Sequence, residues 1–135
     1  MQHIEIEPTY KSPRVIFNPK EAKFMIAGKS VLENVQEFYS PLLNWMDEFL
    51  EKSPANEVEF TFDIEYYNLA STKRFLFFLF KLKDVEEKGG HLKVNWLYRE
   101  KDQDILEMGQ DLSQMLGIPF NFKGYEKLHE KVSLN

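Results

Sequence analysis

Residues 57–80 read EVEFTFDIEYYNLASTKRFLFFLF, and two periodicities meet inside that stretch. Val58, Phe60, Phe62, Ile64 and Tyr66 alternate with Glu57, Glu59, Thr61, Asp63 and Glu65, the period of a strand with one buried and one polar face. The alternation stops at Asn68, and a phenylalanine-rich run begins that has helical length and composition. A strand feeding directly into a helix is the building unit of an α/β domain. Four carboxylates on one strand face, Glu57, Glu59, Asp63 and Glu65, would be costly to cover. The helices are therefore expected mainly on the other face of the sheet.

Working outward, Arg14 to Gly28 reads as an N-terminal hairpin, with RVIF and KFMIAG flanking the turn-rich NPKEA. Ser30 and Glu33 have capping-box spacing and predict the start of the first helix. Pro41 interrupts that helix as a kink or a second start. Beyond it, Leu42, Trp45, Met46, Phe49 and Leu50 form one apolar face. The helix from about Ser71 ends in EEKGG, where glycine suits the left-handed C-terminal position. HLKVNWLYRE is another strand, with Lys93 and Arg99 placed to offset Glu59, Asp63 or Glu65 if the two strands are neighbours. A last helix closes at Gly117, and IPFNF is a short final strand. The prediction is one α/β domain over residues 1–135, a mixed sheet with its core at about 12–122 and a loosely held tail at 123–135.

Composition narrows the function. The formal net charge of -5, with no long basic run, argues against nucleic acid as a partner. The absence of cysteine excludes disulfides and thiolate chemistry and suits a reducing compartment. The opening MQHIEIEPTYKSPRV is not a signal peptide, and the apolar run Phe75–Phe80 is too short for a bilayer, so a cytoplasmic protein with no membrane partner is expected. His3, His91 and His129 are dispersed, which predicts no metal site. Gly89 and Gly90 follow a helix instead of opening one, so they form no phosphate loop, and no nucleophile elbow or dinucleotide fingerprint points to a cofactor. The reading is non-enzymatic, with no catalytic residues.

What remains is the strand-to-helix junction. Asn68 or Ser71 suits the cap of the helix, and a hydroxyl there is also open to a kinase. Phe75 to Phe80 are consecutive apolar residues, whereas a helix lying on a sheet needs only about a 100° apolar stripe. Phe77 and Phe80 are therefore expected to stay exposed as a contact surface, for a protein partner or for a homodimer.

The segments SVLENVQEFYSPLLNWMDEFL, YYNLASTK, GGHLKVNWLYRE and DILEMGQDL followed by PFNF, in that order, resemble the SiaC-type family of bacterial regulatory phosphoproteins. That family is related in fold to STAS-domain anti-sigma factor antagonists. The resemblance implies a partner-switching protein, phosphorylated by a dedicated kinase and dephosphorylated by a PP2C-type phosphatase. It further implies that the unphosphorylated form binds and activates a diguanylate cyclase. The family's phosphosite lies in an Asn-Thr-Ser-Ser type motif, and the corresponding residues here are Asn68-Leu69-Ala70-Ser71. Leu69 stands at the phosphothreonine position and cannot carry a phosphate. Ser71 or Thr72 then takes over, or binding is constitutive. Asn68 and Lys73, with Phe77 and Phe80, are the expected partner-binding residues. The rivals are a phosphorylation-independent adaptor or dimeric scaffold, and a small-ligand-binding domain or hydrolase using Glu59, Asp63 and Glu65.

Overall fold

The computed structural model describes residues 1–52 and 57–126. In chain order the elements are β1 (Ile4–Ile6), β2 (Arg14–Asn18), β3 (Lys23–Ser30), α1 (Val35–Lys52), β4 (Glu57–Tyr67), α2 (Leu69–Glu87), β5 (His91–Arg99), α3 (Gln103–Leu116) and β6 (Phe120–Tyr125). The strands form one six-stranded sheet in sequential order. β1, β2 and β3 are antiparallel, and β3 to β6 run parallel. Each of the three helical crossovers steps one strand in the same direction. Right-handed connections then bring every helix to one face, as the acidic stripe of β4 required.

The covered face is aromatic. Phe17 packs edge-on to Phe24 and Phe78, Phe60 stacks on Phe62, and Phe62 meets both Phe75 and Trp96. Helix α1 closes this layer with Tyr39, Met46 and Phe49, all fully buried. At about 25 cal/mol per Å² of apolar surface, side chains of this size are what a domain of this length needs to offset its chain entropy.

Several expectations change on contact with the structure. Ser30 does not cap α1: it is the last residue of β3, pairing with Tyr67, and is fully buried. The capping pair is Asn34 and Glu37, whose backbone amide donates to Asn34 Oδ1 at 3.1 Å while Asn34 Nδ2 donates to the Glu37 carboxylate at 3.1 Å. Helix α1 continues through Pro41 as a single element. β1 lies ahead of the expected core and pairs with β2, and β6 runs on to Tyr125, past the expected limit at Phe122. Thus 123–125 belong to the sheet, and residues 127–135 of the expected tail lie outside the described residues.

Tyr66 also changes side. Gly28 pairs with Ile64 but Lys29 pairs with Tyr66, so Glu65 is skipped and the strand bulges. Tyr66 therefore joins the open face, half-exposed beside the Lys29 ammonium and the Arg99 guanidinium.

Candidate functional site

Helix α2 begins at Leu69 because Asn68 ends β4 in an extended conformation and turns its side chain onto the first turn. Asn68 Oδ1 accepts from the Ser71 amide at 3.0 Å, while Asn68 Nδ2 donates to the Leu32 carbonyl at 2.9 Å. Of the two candidates the cap is thus Asn68, and the helix starts at Leu69, two residues ahead of the start expected at about Ser71. The bond to Leu32 ties the cap to the segment between β3 and α1.

Ser71 is one of the most enclosed polar residues of the domain, with no exposed surface. Its Oγ lies 2.7 Å from Asn68 Oδ1 and 2.8 Å from the Ser30 carbonyl, both acceptors, so its proton is donated to that side. It therefore accepts from Ser30 Oγ at 2.7 Å, and Ser30 in turn accepts from the Tyr39 hydroxyl at 2.7 Å. The hydroxyls form a one-directional chain, Tyr39 to Ser30 to Ser71, that joins α1, β3 and α2. Burial pushes the Tyr39 hydroxyl above its ordinary value, partly opposed by the bond to Ser30. From the sequence Ser30 reads only as a helix cap and Tyr39 is not singled out, because nothing in the chain order brings them to Ser71.

The neighbouring residues are placed differently. Leu69 is 81% exposed on the first turn of α2. Thr72 is half-buried, its Oγ1 donating to Met108 Sδ on α3 at 3.6 Å. Lys73 is exposed. Phe75, Phe78 and Leu79 are fully buried, whereas Phe77 is 43% and Phe80 67% exposed, as the helix-stripe argument requires. Leu69, Lys73, Phe77 and Phe80 fall within about 80° of one another at about 100° per residue, and extend about 16 Å along the axis. The outward face of α2 is therefore apolar where a surface helix is ordinarily charged.

The acidic strand face is engaged within the sheet. Asn95 Nδ2 donates to Glu59 at 2.8 Å, the Tyr125 hydroxyl donates to Asp63 at 2.8 Å, and Arg99 pairs with Glu65. Lys93 lies opposite Glu59 in register. Burial raises the Asp63 carboxyl above its ordinary value, partly opposed by the Tyr125 hydrogen bond. His3 and His91 are exposed on separate strands or ends, and His129 lies outside the described residues. Among the described residues, no group of three or more histidine or carboxylate side chains is arranged to hold a metal ion. Nor is any helix among them long and apolar enough to cross a membrane.

The model of the SiaC family, described as SiaC family regulatory phosphoprotein, matches residues 6–125. The chain belongs to the SiaC family. The match takes in all of β6 and, of β1, only its last residue Ile6. Among solved structures, apo-SiaC from Pseudomonas aeruginosa superposes with a TM-score of 0.82 at 20% identity, covering 92% of this chain and 100% of that one. The diguanylate cyclase SiaD in complex with its activator SiaC, from the same organism, gives a TM-score of 0.83 at 20% identity, covering 90% and 99%. At this identity the structural likeness establishes the SiaC fold: one α/β domain, a mixed sheet and three helices. No curated protein matches the chain.

Proposed function

We propose that this SiaC-family protein is a non-enzymatic regulator that acts in the cytoplasm by binding a signalling enzyme, a diguanylate cyclase, through the outward face of α2. The observation that carries the reading is the exposed line of Leu69, Lys73, Phe77 and Phe80 on a helix whose other side is core. Exposed apolar patches of this kind mark contact surfaces, and aromatic side chains are enriched among residues that dominate binding energy. The SiaC of Pseudomonas aeruginosa, which shares the fold, is an activator seen in complex with its cyclase.

Leu69 occupies the position we match to the family's phosphothreonine, and leucine has no group to modify. Control by a kinase and a PP2C-type phosphatase then falls to Thr72, since the Ser71 hydroxyl is enclosed. A second reading, a phosphorylation-independent adaptor or dimeric scaffold, uses the same surface. It is favoured by an apolar side chain standing at the switch position.

The test is reconstitution with purified diguanylate cyclase from the same cells, reading cyclic-di-GMP synthesis. Wild-type protein should raise the rate, and Phe80→Asp should shift the activating concentration at least about 30-fold, the equivalent of about 2 kcal/mol lost at a binding hot spot. Thermal melting should change little, because Phe80 is outside the core. Full activation by a folded Phe80→Asp protein would remove α2 from the binding surface.

A further inference from the structure

Residues 69–83, LASTKRFLFFLFKLK, contain Lys73, Arg74, Lys81 and Lys83 and no acidic residue, in a chain whose formal net charge is -5. The four cations surround the apolar line. Lys73 sits within it, one turn from Leu69 and one turn from Phe77. The Arg74 guanidinium lies 5.9 Å from the centre of the Phe77 ring. Lys83 flanks Phe80 from the other side, and Lys81 pairs with Asp47 of α1 at 2.6 Å. The first acidic residue of the helix, Asp84, pairs with Lys88 at 3.0 Å, so negative charge gathers only at the far end. The positive N-terminal end of the helix dipole adds to the basic half.

Beside Phe77 the surface has a socket. An open cleft of about 320 Å³ lies between α1 and α2, lined by Ser40, Leu43, Asn44, Phe77 and Lys81. Its apolar wall, Leu43 and Phe77, suits one partner side chain.

We propose that the occupant of this face is a protein helix whose apolar side chains are flanked by carboxylates. The inference rests on the docking reading above and specifies its chemistry. Lys73, Arg74 and Lys83 would steer an acidic partner and reject a basic one, while Leu69, Phe77 and Phe80 supply the contact area. A few cations on a protein of net negative charge are too weak a field for a nucleic acid or an anionic bilayer.

The experiment uses the full chain and two synthetic amphipathic helical peptides with the same leucine and phenylalanine face, one rimmed by glutamate and one by lysine. The glutamate peptide should bind at least about 10-fold more tightly, weaken as salt is raised, and shift backbone resonances at Leu69, Lys73 and Phe80. K73E/R74E should abolish that preference, whereas Phe80→Ala should weaken both peptides and leave the preference in place. Equal binding of the two peptides would overturn the proposal, as would failure of both to bind. Binding to phosphatidylserine vesicles in preference to the glutamate peptide, or self-association that excludes it, would do the same. If the peptides fail while the cyclase still binds wild-type protein but not Phe80→Asp, the acidic partner is wrong and the docking face stands. If Phe80→Asp also leaves cyclase binding intact, the docking face itself is wrong.

Discussion

Replacing Trp96 by alanine is expected to destabilise the domain by about 3–5 kcal/mol, the range for deleting a large buried aromatic. Trp96 is fully buried on β5, with its ring 5.3 Å from Phe62 and 5.9 Å from Phe120, centre to centre. Its indole N–H donates to the Ile105 carbonyl in the first turn of α3 at 2.9 Å. The ring lies directly against the backbone of α3 at Gly109, where an added Cβ would come within 2.5 Å of Trp96 Nε1. Removing the ring opens a cavity at the place where α3 is seated on the sheet. Gly109→Ala attacks the same contact from the opposite side and should also be strongly destabilising. Combined with Trp96→Phe, which removes the crowded five-membered ring, Gly109→Ala should cost less than the two changes summed. Urea denaturation of the four proteins measures this. Strict additivity would mean that Trp96 and Gly109 are not one contact.

Ser71→Asp should be the second severe change, and it discriminates between the two hydroxyls considered as phosphate acceptors. The new carboxylate would lie against the Ser30 carbonyl and Asn68 Oδ1, two acceptors, with no cation among the bonds that Ser71 makes. An uncompensated buried charge costs about 3–5 kcal/mol, and the start of α2 should lose its protection against hydrogen exchange. Ser71→Ala should cost less, about 1–3 kcal/mol, because it strands the Ser30 hydroxyl without adding charge. Thr72→Asp should lie within about 1 kcal/mol of wild type, since the half-buried side chain can reach solvent and the helix N-terminus favours negative charge. Native-state mass spectrometry should then find any phosphate at Thr72 and none at Ser71. A Ser71→Asp protein that melts at the wild-type temperature would show that the hydroxyl chain does not hold this junction together.

The sequence made the architecture legible where one element carries its own signal. Alternation from Val58 to Ile64 specified β4 and its covered face. The apolar run from Phe75 to Phe80 exceeds what a sheet-facing stripe can bury, so Phe77 and Phe80 could be assigned to the surface. The reading failed where the determinant belongs to a pair of elements. Tyr66 continues the alternation, yet the skipped pairing at Glu65 turns it to the open face. Register is a property of β3 and β4 together, and no pattern within β4 alone encodes it. Ser30 and Asn34 both stand three residues ahead of a glutamate, and the choice between them was made by the extent of β3. β1 has three residues, too few to establish a period. The junction was half legible. Asn68 and Ser71 were marked as capping residues by type, but the burial of Ser71 depends on Tyr39 and Ser30, which only the folded chain brings to it.

The most direct test of the docking face is site-specific photo-crosslinking in the cells that make the protein. A photoreactive phenylalanine would be placed at position 80 and, separately, at Leu97 on the open face of the sheet. Covalent capture of a diguanylate cyclase from position 80 and not from position 97 is the expected result. Capture of the cyclase from position 97 alone, or only self-crosslinks from position 80, would contradict it.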